Sequence, residues 1–437
     1  MKLAITNGRV IDPSQNLDGD FTIYIEDGVI DAIRRDKKPR GGYEILDAKG
    51  AVVSPGFVDL HTHLRDPGFE YREDIESGSR ASAAGGFTTI LCMANTNPVN
   101  DNASVTSMIV NRAKEVGLTN ILPVGAVSKG LKGEQLAEIG EMVKAGCMAV
   151  SDDGRPVMNG KLMRHALEYA KSFDVPVITH AEDLSLSEGG SMNEGAASTA
   201  MGLKGIPAAA EESMIQRDLL LAKLTDHHLH VAHVSTATGL EMIRRAKKEG
   251  VRVTCEVTPH HLVLTDKSCS DYDANAKVNP PLRTDEDCAA LIKALNDGTV
   301  DAIATDHAPH AQDEKEKTPF DCANCGLIGM ETALPVLLKL VHEKKLPLKR
   351  LISLLTSGPA KAFKLNAGSL KKGMPADIVI FDPNQNVVID PHQFHSKSKN
   401  SPFAGWKLKG KVLHTICRGK VVYGMSLRGA QATWQSK

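Results

Sequence analysis

The sequence has no long apolar run, no excess of one charge and no dense cysteine framework, and each absence removes a class of protein. No stretch approaches the ~20 consecutive apolar residues that a bilayer-spanning helix needs. The opening residues Met1 to Gly8 lack the continuous apolar segment of a secretory signal. The expectation is a cytoplasmic protein with no membrane association. Its 52 basic and 53 acidic side chains leave a formal net charge of -1, so the overall balance draws it to neither nucleic acid nor anionic lipid. Eight cysteines scattered through 437 residues are too sparse for a disulfide-stapled secreted domain, and reduced thiols are the default. Cys322 and Cys325 form a C-x-x-C, but a structural zinc site needs two further ligands and no second such pair exists.

What is present is the make-up of a soluble enzyme, with 42% hydrophobic and 24% charged residues. A (β/α)8 barrel of ~250 residues plus an accessory domain would fill the length. Residues 1–53 alternate short β-rich segments with turn signals, as in Phe21 to Ile25 followed by Asp27-Gly28. Residues 366–437 repeat that style in Asp377 to Phe381, Lys411 to Ile416 and Gly419 to Tyr423. Isolated hairpins are marginal alone, so the two ends are expected to build one composite β-sandwich.

Between residues 54 and 365 short apolar strands alternate with helical periodicity, the pattern of βα units and a parallel sheet. Eight strands are predicted, centred on Val58, Ile90, Leu122, Ala149, Ile178, Val231, Val253 and Ile303. Eight in series point to a closed TIM barrel, whose chemistry belongs at the C-terminal strand ends.

Those ends are where unusual polar residues gather. The first strand runs into His61-Thr62-His63, and two histidines two apart on a strand share a face. Asp153 follows the fourth strand, His180 ends the fifth, His233 the sixth and Asp306 the eighth. Four imidazoles and two carboxylates at one mouth are costly to bury without a cation or hydrogen-bond partners, and the set suits a zinc-like ion. Other histidines lack this placement. His165, His342, His227, His228, His392, His395 and His414 are read as solvated or structural, while His260 and His261, after the seventh strand, are candidates for a supporting role. Bound divalent ions bring the pKa of water toward ~7 and polarise carbonyls, so the expected chemistry is hydrolysis. Asp306 is the candidate that takes the water proton and passes it to a nitrogen leaving group.

The stretch Pro55 to Gly68, containing His61-Thr62-His63-Leu64-Arg65-Asp66-Pro67-Gly68, resembles the first metal motif of the dihydroorotases in the amidohydrolase superfamily. Ala304-Thr305-Asp306-His307-Ala308-Pro309-His310 resembles their second signature. Met93 to Thr96, Ser151 to Gly154, His233 to Thr236, Thr258 to His261 and Lys277 to Arg283 match further blocks in order, so the resemblance covers essentially the whole chain.

It implies that His61, His63 and Asp306 hold one metal, that His180 and His233 hold another, and that Asp153 bridges them, with one or two Zn2+ per chain. Many relatives use a carboxylated lysine as the bridge. No lysine ends the fourth strand here, which resembles the branch with an aspartate in that place. The implied reaction is the reversible cyclisation of N-carbamoyl-L-aspartate to dihydroorotate in pyrimidine biosynthesis. Substrate contacts would fall to His63, Arg65, Asn95, Asn279, His310, Cys325 and Gly326, with Arg65 offering a fork to a carboxylate. Cys325 stands where the family usually has Phe, in a contact made largely through backbone. The Gly-, Ala- and Ser-rich segment from Gly189 to Pro207 is expected to be a mobile loop near the site. The resemblance further implies a homodimer, with or without aspartate carbamoyltransferase as partner. The alternatives are a related cyclic amidase, such as an allantoinase or hydantoinase, and a catalytically silent partner of that carbamoyltransferase.

Overall fold

The computed structural model describes residues 2–36 and 38–424. The tail beyond Gly424, included above in the C-terminal part of the composite sheet, lies outside the described residues. Five strands come first: β1 (Lys2–Asp12), β2 (Leu17–Glu26), β3 (Val29–Arg34), β4 (Glu44–Asp47) and β5 (Val52–Pro55). The barrel follows with β6 (Phe57–Thr62), β7 (Phe87–Cys92), β8 (Asn120–Gly125), β9 (Ala149–Ser151) and β10 (Val177–Thr179). After an excursion carrying β11 (Met192–Asn193) and β12 (Gly205–Ile206), it resumes with β13 (Leu229–Val231), β14 (Val253–Val257) and β15 (Ala302–Ile303). The chain ends in β16 (Ile378–Val388), β17 (Lys407–Cys417) and β18 (Lys420–Tyr423).

Every predicted barrel strand is present, and neighbours pair in parallel from β6 to β15 in chain order apart from the excursion. The seam between first and last strands has almost no ladder. It closes through a bridge between Thr62 and His307 and through Asp59, whose carboxylate accepts from the Thr305 N–H (3.0 Å) and the Thr305 hydroxyl (2.6 Å). Burial pushes the Asp59 carboxyl up to about 7. The barrel interior is apolar, with Val58, Leu60, Leu91, Val124, Ile178 and Ala302 among its residues and Phe363 packed at one end. A larger apolar layer lies between the strands and the surrounding helices.

The two chain ends build one mixed sheet, ordered β18-β17-β16-β5-β1-β2-β3, with β4 beside β1. Leu3, Ile23, Val53, Ile378 and Ile416 meet in its core, so neither end has a complete apolar face without the other. β5 pairs with both β1 and β16, which ties Ser54 and Pro55 to this sheet. Among the described residues no helix is long and apolar enough to cross a membrane.

The segment from Gly189 to Pro207, expected to be a mobile loop near the site, holds β11, the short helix Ala196–Met201 and β12, with β11 and β12 paired in parallel. Buried Arg283 fastens it. The guanidinium donates to Asn193 Oδ1 (2.9 Å), the Ile206 carbonyl (3.2 Å), Glu211 Oε2 (3.3 Å) and Ser235 Oγ (3.0 Å). Ser235 lies two residues beyond His233, so this ion pair joins the excursion to a strand end that carries chemistry.

Candidate metal centre and active site

The structure brings together all six residues singled out for a metal, and all six are buried. The register of β6 shifts between Asp59 and Thr62, so Val58 and Leu60 pack in the barrel core while His61 and His63 meet the carboxylates of other strands. His61 Nε2 lies 3.3 Å from Asp153 Oδ1 and 3.5 Å from Asp306 Oδ1. His63 Nε2 lies 3.1 Å from Asp306 Oδ1 and 3.5 Å from Asp153 Oδ2. On the far side, His180 Nδ1 is 3.4 Å from Asp153 Oδ1 and 2.9 Å from His233 Nε2, which is itself 3.4 Å from Asp153 Oδ1. Asp153 thus stands among all four imidazoles. Its neighbour Asp152 turns the other way and accepts from the Val127 and Ser128 N–H groups, bracing the loop after β8.

Backbone strain collects here. His233 (φ 32°), Asp306 (φ 47°) and Arg65 (φ 62°) all adopt the left-handed region, which costs about 1–3 kcal/mol per non-glycine residue and persists where the surroundings enforce it.

Burial opposes charge here, yet both carboxylates stay ionised. Burial pushes the Asp153 and Asp306 carboxyls up, but the surrounding histidines outweigh it and hold both below the usual carboxylate range. Burial likewise pulls His61 and His180 down, whereas the carboxylates beside them lift His61 well up and His180 to about 10. His63 is lowered, chiefly by burial. Two atoms in the middle, His61 Nε2 and Asp153 Oδ1, are buried without a hydrogen-bond partner. The facing atoms of His61, Asp153 and His233 lie within 4.8 Å of one another, as do those of His61, His63 and Asp306. Convergent, unpartnered imidazole and carboxylate donors around ionised carboxylates fit a divalent cation.

Three of the four histidines are held from behind. His63 Nδ1 donates to Asn95 Oδ1 (2.9 Å), His61 Nδ1 to Glu256 Oε1 (3.0 Å) and His180 Nε2 to Glu182 Oε2 (3.0 Å). Burial raises the two glutamates, but their histidines bring both down to about 2. Glu182 and Glu256 were absent from the sequence reading. Glu256 lies beyond the centre of the strand predicted around Val253, in a β14 that runs on to Val257. The signal available was a lone carboxylate two residues after Thr254 in an otherwise apolar strand.

The residues expected to contact substrate gather around the same mouth but differ in what they do. Buried Arg65 donates from Nε to the Pro309 carbonyl (3.2 Å), and among the described residues no carboxylate pairs with it. Burial lowers its guanidinium to about 10. Asn95 supports His63, and Asn279 Nδ2 donates to Glu182 Oε2 (2.8 Å). His310 is pushed down to about 2, first by burial and then by Arg65. Its Nε2–H donates to the Cys325 carbonyl (2.8 Å), which leaves Nδ1 as a buried acceptor without a partner. Cys325 therefore acts through backbone on His310. Gly326 has φ 131°, and a Cβ there would stand 2.6 Å from the Ala308 side chain. Its carbonyl accepts from buried Lys315 (2.8 Å), which also holds the carbonyls of Lys277 and Asn324.

His260 and His261 are both buried; His261 Nε2 donates to the Pro280 carbonyl (2.9 Å), while neither ring nitrogen of His260 has a partner. All eight thiols are free, with only Cys322 and Cys325 exposed.

A parallel barrel whose strand ends deliver a His-x-His pair, two further histidines and two aspartates defines a metal-dependent hydrolase, and residues 52–422 match the model of the amidohydrolase family, to which the chain belongs. In three dimensions it resembles L-hydantoinase from Arthrobacter aurescens (TM-score 0.86, 28% identity, 97% of this chain and 96% of the other) and a dihydropyrimidinase from Brevibacillus agri (TM-score 0.85, 25% identity, 97% and 95%). In sequence it is 52% identical to a dihydroorotase from Syntrophotalea carbinolica over 98% of this chain and all of the relative. It is 53% identical to one from Geobacter metallireducens over 97% of this chain and all of the relative. Within the amidohydrolases, the chain belongs to the dihydroorotases.

Proposed function

We propose that this chain interconverts N-carbamoyl-L-aspartate and dihydroorotate, with His61, His63, Asp153, His180, His233 and Asp306 holding one or two zinc ions. The observation that carries the reading is buried Arg65, free of any carboxylate partner among the described residues, beside a cluster fit for a cation. One mouth thus joins a hydrolytic centre to a receptor for a carboxylate. A bound divalent ion supplies Lewis acidity there, polarising a carbonyl and acidifying water.

The chain's own residues supply the rest. In the hydrolytic direction water attacks the ring amide carbonyl, the C–N bond breaks and the ring nitrogen needs a proton. Asp306 is ionised and so able to take the water proton and deliver it to that nitrogen. Arg65 binds the substrate carboxylate. His310, neutral with Nδ1 open, accepts a ureide N–H. The backbone of Cys325 and Gly326 keeps His310 in place, and Asn95 and Asn279 hold His63 and Glu182 within reach of the substrate. Family resemblance supports a cytoplasmic homodimer, with aspartate carbamoyltransferase as a candidate partner; sedimentation of the chain with and without it tests both.

The decisive measurement is turnover of dihydroorotate by the purified chain, with hydantoin and allantoin as controls that lack the ring carboxylate and with zinc content read on the same sample. Turnover selective for dihydroorotate and proportional to bound zinc is expected. Zinc uptake without turnover overturns the catalytic reading for the isolated chain.

A further inference from the structure

One continuous chain of polar side chains runs through the otherwise apolar barrel interior. His61 Nδ1 is 3.0 Å from Glu256 Oε1, Glu256 Oε2 is 3.1 Å from His230 Nε2, His230 Nδ1 is 2.8 Å from Thr254 Oγ1, and that hydroxyl is 2.7 Å from His228 Nε2. His61, His230 and Glu256 are at most 1% exposed. Phe363 packs against the His230 ring at 4.9 Å. A carboxylate in such surroundings is costly to keep unless its neighbours hold it.

One assignment of protons satisfies all four contacts. An ionised carboxylate can only accept, so His61 donates from Nδ1 and His230 from Nε2. His230 Nδ1 then accepts the Thr254 hydroxyl proton, and that hydroxyl oxygen accepts from His228 Nε2. The consequence at the far end is specific: with Nδ1 of His61 donating to Glu256, Nε2 is the nitrogen left to offer a lone pair to a cation held together with Asp153 and Asp306. His63, the other half of the His-x-His pair, has only the neutral amide of Asn95 behind it.

We infer that Glu256, braced by His230, is a positioning residue for cation binding, which fixes the tautomer of His61 and strengthens its Nε2 as a donor. The inference rests on the reading that His61 holds a divalent cation. A carboxylate behind a ligating imidazole raises its basicity and locks its orientation, and loss of such a partner costs about 10- to 100-fold in metal affinity.

The test is the Zn2+ dissociation constant of the full-length, metal-stripped chain, measured by competition with a chromogenic chelator, with the melting temperature of the stripped protein as control. Glu256→Gln keeps the shape and an acceptor for His61 but removes the charge. It should weaken zinc binding about 10- to 100-fold with little change in melting temperature. The double variant Glu256→Met with His230→Phe replaces the buried polar pair by apolar side chains, a change that often leaves a fold as stable or more so. It guards against a Gln variant that fails to fold, and it should lose at least as much affinity. A pair serving packing alone would leave the dissociation constant where it was. If the parent binds zinc and both variants bind within about threefold of it, this inference is overturned while the proposed metal centre stands. A parent that takes up no zinc overturns both.

Discussion

Asp306 stands between the Nε2 atoms of His63 and His61, at 3.1 and 3.5 Å, and is held ionised there. Asp306→Asn keeps a side chain of the same shape but removes the proton acceptor. Its kcat should fall about 10²–10⁴-fold while part of the zinc is retained, as read by steady-state kinetics and metal analysis. Near-normal turnover would remove Asp306 from proton transfer. Arg65 offers a charged donor to an anion, an interaction worth about 1.5–3 kcal/mol. Arg65→Ala should raise KM for dihydroorotate about ten- to hundredfold, with the smaller effect on kcat. An unchanged KM would move the carboxylate receptor elsewhere. These residues were legible in the sequence because strand ends in a barrel are few and a histidine or aspartate there stands out against apolar neighbours. The residues behind them were not. Glu182 and Glu256 matter through the ring nitrogen each one faces, and that is decided by side-chain geometry rather than by spacing. Cys325 was expected to act largely through backbone, and its carbonyl is what makes the contact with His310.

At the level of elements, all eight barrel strands could be read because each is a short apolar run beside a turn or helix signal. Their ends were less certain. β14 extends to Val257 because Glu256 and Val257 pair with Ala302 and Ile303, a tertiary fact that no local pattern encodes. The excursion after β10 escaped for a related reason: β11 and β12 have two residues each, too few for any period to show. What holds it is buried Arg283, which donates to Asn193 and to the Ile206 carbonyl and pairs with Glu211. Arg283→Met leaves Glu211 buried without its cation, and urea unfolding should show a loss of about 3–5 kcal/mol. Adding Glu211→Gln should recover part of that loss, because no charge is then stranded. A single variant as stable as the parent would mean that the excursion is held by other contacts.

For the molecule as a whole, buried Lys315 makes stability depend on pH. Burial lowers its ammonium to about 8 from an ordinary value of 10.5. Below about 8 both folded and unfolded chains carry the proton, and the fold bears the full cost of burying the charge. Between about 8 and 10.5 the unfolded chain binds the proton more tightly, so this residue makes stability rise with pH. The parent should therefore gain more stability than Lys315→Met between pH of about 7.5 and 9.5, in urea titrations at both values. Equal changes would show that the ammonium is not perturbed in the fold.

The composite sheet carries a consequence for how the chain is made. Val53 pairs with Ile380, so the edge of β5 has no partner until roughly 300 more residues have been synthesised. At about 5–20 residues per second, the N-terminal strands spend on the order of 15 to 60 s on the ribosome with an open hydrogen-bonding edge. During that interval they are a template for any other extended segment, including the same strands of a neighbouring nascent chain on one message.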